Sequence, residues 1–324
     1  GTIRYLIQYA RNEGDYIQAL SLSKSLYVRA SETFDDEMIV FSSRVILNSL
    51  AHLRQMDKIK LFLENKAVKR VLPGQEGHAY ISFINLFNDN TKQVLADFEV
   101  NKRSFGNSIH PSILFNTGES YFRNAQYRKA IKLFDSFLSE YSSISISDKA
   151  RLRIATSYDL LNEKPKKVLK LYQDSINKSA DFKIRYESKI RYVGFRVARN
   201  QIPSDLDIET KVFLDGSEGE KNLVDANLKK LLWLTRLRVF ISEKKYEAAL
   251  AYLASLPIDS LRRVEQRTFH ADGAEIVLGV IQKSYAKGDY ARAVKFWEIY
   301  KSKYNSKVAK NPYLNFIVSD SFIK

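Results

Sequence analysis

Cysteine is absent from the 324 residues. That excludes disulfides, thiol nucleophiles and thiolate metal sites. Proline and glycine are scarce, at 6 and 12 residues. Folds rich in tight turns need more of both, so the composition points to helices. No apolar run approaches the roughly 20 residues of a membrane-spanning helix, and no secretory leader opens the chain. Gly1 leads straight into a helical pattern of Ile3, Leu6, Ile7 and Ala10, as expected of a piece of a longer protein with a targeting segment or anchor upstream.

Hydrophobic residues make up 45% and charged residues 27%, the balance of a folded globular chain rather than a disordered one. Lys and Arg number 52 against 37 Asp and Glu, a net charge of +15. Such an excess draws a protein toward anionic partners, among them acidic protein faces and nucleic acid, and also serves simply as a solvated surface.

Little in the sequence carries chemistry. His52, His78, His110 and His270 fall in different repeats, so they do not converge on one metal. His110 precedes Pro111, which suits a helix start. Asp35, Asp36 and Glu37 suit the first turn of a helix, where the dipole favours acids, better than a paired-carboxylate site. Gly216 and Gly219 lack the Gly-Lys-Ser/Thr of a phosphate loop. The reading is of a chain that is no enzyme and has no cofactor or metal.

What the sequence does carry is a repeat. A small or polar residue is followed two positions later by a large side chain, and three positions on by Ala or an aliphatic. Gly14-Asp15-Tyr16 with Ala19 shows it, as do Ala125-Gln126-Tyr127 with Ala130, Lys244-Lys245-Tyr246 with Ala249, and Gly288-Asp289-Tyr290 with Ala293. Weaker junctions centre on Met56, Thr91, Pro165 and Pro203. The anchors 16, 56, 91, 127, 165, 203, 246 and 290 are 35 to 44 residues apart, about 39 on average. The turn residue reverses the chain, the aromatic fills the wedge between paired helices, and the Ala permits close approach. The fold class expected is all-α, a right-handed solenoid of about eight helix–turn–helix repeats over residues 1–324, cut from a longer array. The polar, Gly-rich stretch 215–221 is the one place for an internal break, and a longer inter-repeat loop is the simpler reading.

Residues 121–141, YFRNAQYRKAIKLFDSFLSEY, resemble a tetratricopeptide repeat, and the following SSISISDKARLRIATSYDLL resembles the helix opening the next one. The cadence of Tyr127, Ala130, Phe134, Phe137 and Tyr141 is most similar to repeats of exported bacterial proteins, and Tyr290 to Tyr304 repeat it. Size, basic charge and composition are similar to periplasmic scaffolds of flagellar motors of the paralysed-flagellum type. The resemblance implies a non-catalytic protein-binding scaffold in a larger bacterial assembly, periplasmic in setting, with the cytoplasm as the alternative.

In helix-pair solenoids the first helix of each unit lines the concave face. A stripe counted back from each anchor places Arg123, Arg153, Arg191, Arg199 and Arg238 there, with Phe115, Phe122 and Phe195 among them. Arg with aromatics anchors interfaces and grips carboxylates in a bidentate way. The site expected is a groove for an acidic protein segment, against the reading that these arginines only pack across neighbouring helices. A nucleic-acid reader is the alternative, but base-per-repeat readers keep a more regular period. A chaperone-type carboxylate clamp is represented only by fragments such as Arg44 and Asn48.

Overall fold

The computed structural model describes residues 2–199, 225–301 and 312–323. The Pro203 anchor and the 215–221 stretch lie outside them. Among the described residues the chain is all-α, with seventeen α-helices and one short 3-10 turn. It divides into two compact units, Gly1–Pro165 and Lys166–Lys324.

The first unit contains α1 (Thr2–Asn12), α2 (Tyr16–Glu32), α3 (Asp36–His52), α4 (Met56–Leu63), α5 (Lys66–Val71), α6 (Gly74–Phe87), α7 (Thr91–Asn101), α8 (Pro111–Arg123), α9 (Tyr127–Glu140) and α10 (Ser147–Leu160). Helices pack mainly on their neighbours in sequence, α1 on α2, α2 on α3, α8 on α9 and α9 on α10. The second unit holds α11 (Pro165–Lys178), α12 (Phe182–Val197), α13 (Ala226–Ser242), α14 (Tyr246–Ser255), α15 (Arg263–Ala286), α16 (Tyr290–Tyr300) and α17 (Pro312–Ile323), with the 3-10 turn at Ile258–Ser260. There α12 packs on α13, α14 on α15, and α15 on α16.

The sequence anchors have a clear structural meaning. Tyr16, Met56, Thr91, Tyr127, Pro165, Tyr246 and Tyr290 are each the first residue of the second helix of a pair. Three residues on, Ala19, Ile59, Val94, Ala130, Val168, Ala249 and Ala293 are all at most 1% exposed. This is the point where the second helix meets its neighbours, and small or β-branched side chains fill it without spare volume.

The turns explain the spacing. Two residues before the anchor the backbone is left-handed, at Gly14 (φ 75°), Arg54 (56°), Asp89 (59°), Ala125 (56°), Lys244 (58°) and Gly288 (76°). The N–H of the next residue then reaches back over the helix end, as Gln126 N does to Tyr121 O at 2.9 Å, while Ala125 N donates to Phe122 O at 3.0 Å. Asp15, Gln55, Asn90, Lys245 and Asp289 repeat the long bond. This is the Schellman closure, which satisfies carbonyls at the end of a helix. Its last residue is also the N-cap of the next helix, and Asp15 and Asp289 use their carboxylates to accept from Gln18 N and Arg292 N.

The same turn joins α2 to α3, with Phe34 at φ 56° and Asp35 accepting from Met38 N at 3.0 Å. Asp36 and Glu37 fill the first turn of α3, as expected from the dipole. The short α5 is an addition that the repeat pattern does not anticipate.

Candidate functional site

The most buried carboxylate described is Glu119, on α8, with its side chain 2% exposed. Arg153 of α10 grips it with two bonds, Nε to Oε2 at 2.7 Å and Nη2 to Oε1 at 3.1 Å. The same guanidinium lies over the Phe122 ring, 4.6 Å from its centre. Arg123 adds a bond to Glu119 at 3.3 Å and also donates to Leu86 O and Asp89. Burial pushes the Glu119 carboxyl up, but Arg153, Lys149 and Arg123 outweigh it and hold it below the usual carboxylate range.

These pairs keep the repeat period. Arg153 and Glu119 are 34 residues apart, and so are Arg123 and Asp89. In the second unit Arg238 meets Asp272 at 3.2 Å, again 34 apart, and Lys230 meets Glu265 at a separation of 35. At the start of the chain Arg4 holds Glu37 at 2.7 Å, and Arg44 grips Glu76 through both Nε and Nη2. Except for Arg123, which reaches Asp89 in the turn after α6, each bridge links a first helix to the first helix of the next repeat.

The expected stripe therefore separates into three kinds of residue. Arg123, Arg153 and Arg238 hold carboxylates of adjacent repeats. Phe115 and Phe195 are 2% exposed and lie in the interior, Phe115 between Phe134 and Phe137 and Phe195 against Tyr172. Arg191 binds Glu187 one turn away at 2.7 Å, and Arg199 stacks on Phe195 at 3.6 Å. Phe122 is half-buried beneath Arg153. Sequence reasoning missed that Glu119, Asp89 and Asp272 pair with these arginines, although looking one period away from each arginine finds all three.

The segment around Glu119 is also the part of the chain that a family model matches. Residues 113–143 match the family model of the tetratricopeptide repeat. This tetratricopeptide match spans the α8–α9 pair. Within it Gly118 faces Phe134 so closely that a Cβ would sit 2.8 Å from the ring. All seven described anchors open the second helix of a pair, and six of them follow the same left-handed turn. A crystal structure of a tetratricopeptide repeat protein from Parabacteroides merdae ATCC 43184 aligns at 12% identity and a TM-score of 0.44, over 93% of this chain and 98% of that one. No curated protein matches the sequence.

Other candidate chemistry is dispersed. His52 stacks on Tyr16 at 3.9 Å, and His78 meets Phe105 edge-on at 5.3 Å. His110 caps α8, its Nδ1 accepting from Ser112 N at 3.2 Å, and burial lowers its pKa. Among the described residues no three His, Asp or Glu side chains are grouped to hold a metal, and no helix is long and apolar enough to cross a membrane. The first unit does carry a groove of about 630 Å³. Arg4, Asp36, Glu37, Phe41, Arg44 and Arg70 are among the residues that line it. Arg70 pairs with Asp36 at 2.5 Å across it, so both signs of charge line the same opening.

Proposed function

We propose that this chain is a non-catalytic scaffold whose stacked helix pairs hold other proteins. The observation that carries the reading is the iteration of one helix–turn–helix plan through the described chain, with a tetratricopeptide match at 113–143. Such arrays present extended surfaces built from successive units. The partner we favour carries acidic segments, the ligand expected of the stripe Arg123, Arg153, Arg191, Arg199 and Arg238, but met by cations other than Arg123, Arg153, Arg191 and Arg238, which already hold carboxylates of the chain itself. The setting we favour is an extracytoplasmic bacterial assembly such as a flagellar motor. Its support is the absence of cysteine and the similarity of the aromatic cadence at 121–158 to exported repeats.

The test is crosslinking of the full-length protein in cells that make it, followed by reconstitution with the purified chain. Recovery of a defined protein set that rebinds in vitro supports the scaffold. Failure of every recovered protein to rebind removes it. Fractionation tests the setting, which is lost where the protein co-purifies with cytoplasmic markers.

A further inference from the structure

The charge of this chain is unevenly placed. Residues 166–199 hold ten Lys and Arg against three Asp and Glu, a net +7 out of +15. Within that block, α12 buries Ile184, Tyr186, Ser188, Ile190, Val193, Phe195 and Val197. Between the buried flanks runs a stripe of Arg185, Lys189, Tyr192 and Arg196, spaced 4, 3 and 4 residues apart as one helix face requires. Arg199 follows three residues on, just past the helix end.

What holds these arginines differs from the bridges described above. Arg185 donates to two backbone carbonyls, Ser179 O at 2.7 Å and Ala180 O at 3.0 Å. Arg196 lies over the ring of Tyr192 at 5.6 Å, and Gln173 donates to the Tyr192 hydroxyl at 3.2 Å. Carbonyls and rings orient a guanidinium without cancelling its charge, unlike the carboxylates on Arg153 or Arg238. Arg185 and Arg196 are thus fixed cations on one face of α12.

We propose that this stripe docks an extended acidic segment of a partner protein, through Arg185 and Arg196. The proposal rests on the scaffold reading and names where and what it binds. The distance along the helix from 185 to 196 is about 16 Å. Alternate residues of an extended chain are about 7 Å apart, so an acidic stretch of about five residues spans the two arginines. A nucleic acid fits less well, because of the aromatics here only Phe182, at the start of α12, is more than half exposed. Tyr172, Tyr186 and Phe195 are at most 4% exposed, and Tyr192 is covered by Arg196. Stacking on open rings is what single strands require.

The probe is a fluorescein-labelled peptide of seven residues, alternating Glu and Ser, titrated into the full chain and followed by anisotropy. Binding is expected, weakening as salt rises, with none for the Lys-Ser counterpart. Arg196→Gln is expected to weaken it at least threefold, and Arg185→Gln with Arg196→Gln at least tenfold, while Arg185→Lys with Arg196→Lys keeps most of it. Circular dichroism confirms folding, and Arg196→Gln alone serves if the double variant unfolds. Unchanged affinity in Arg196→Gln overturns the proposal, as does absence of peptide binding. Tighter binding of a seven-nucleotide single-stranded RNA also overturns it. Loss of the peptide result with crosslinked partners still rebinding removes only this site. Peptide binding without any protein partner removes the scaffold reading instead.

Discussion

Arg153 and Glu119 sit one repeat apart and close a two-bond bridge between α8 and α10, with the guanidinium laid on Phe122. Both side chains are largely out of water, at 16% and 2% exposure. A buried pair adds little net stability over apolar replacements, but removing one partner strands the other charge. Arg153→Met is therefore expected to destabilise the fold by about 3 kcal/mol, measured by urea unfolding. Arg153→Met with Glu119→Leu is expected to recover most of that loss. A single-variant cost below about 0.5 kcal/mol would show that Arg123 alone satisfies the carboxylate.

The same bridge sets an acid response. Because the folded Glu119 pKa lies below its unfolded value, its contribution is fully present above the unfolded pKa of about 4.3 and is lost as pH falls through the folded one. Glu265 behaves alike, held at about 2 by hydrogen bonds from Arg262 and Lys230. Stability is expected to fall steeply from about pH 4.3 toward 2. Glu119→Gln is expected to flatten that slope. An identical slope in wild type and variant, from thermal melts across the window, would place the acid sensitivity elsewhere.

The repeat was legible because its determinants are local. A left-handed turn residue, a large side chain at the helix start and a small one a turn later all fall within six positions, as in Ala125 to Ala130. The binding face was less legible because it depends on rotation about each helix axis. Counting back from the anchor places Phe115 and Phe195 outward, yet both sides of these helices are sandwiched, which turns the phenylalanines inward. Arg185 and Arg196 escaped notice because neutral carbonyls and a tyrosine ring, invisible in sequence, distinguish them from arginines already neutralised.

The turn preceding α9 carries an avoidable strain. Ala125 holds φ at 56°, where a Cβ crowds the carbonyl, while Gly14 and Gly288 serve the same position without it. Ala125→Gly is expected to stabilise the first unit by about 0.5–1 kcal/mol, after subtracting the entropy glycine adds to the unfolded chain. Gly14→Ala is expected to cost a similar amount. Chemical denaturation of both variants checks the pair of signs, and a destabilising Ala125→Gly would remove the strain argument.

Gly118 and Phe134 meet in close contact between α8 and α9 within the tetratricopeptide match. A Cβ at 118 would lie 2.8 Å from Cε1 and 3.1 Å from Cδ1 of a ring that is fully buried. Alanine at 118 gains about 1 kcal/mol of helix propensity, but the crowded ring has no free volume to enter, and overpacking of this kind costs about 1–3 kcal/mol. Gly118→Ala is therefore expected to destabilise the fold by about 1–2 kcal/mol net. Phe134→Leu alone leaves a cavity and is also destabilising. Combined, the leucine makes room for the new methyl, so the double variant is expected to be more stable than the sum of the two losses predicts. Strict additivity in urea melts of the four proteins would mean that the ring already moves freely, and that α8 and α9 are not held at this distance by the glycine.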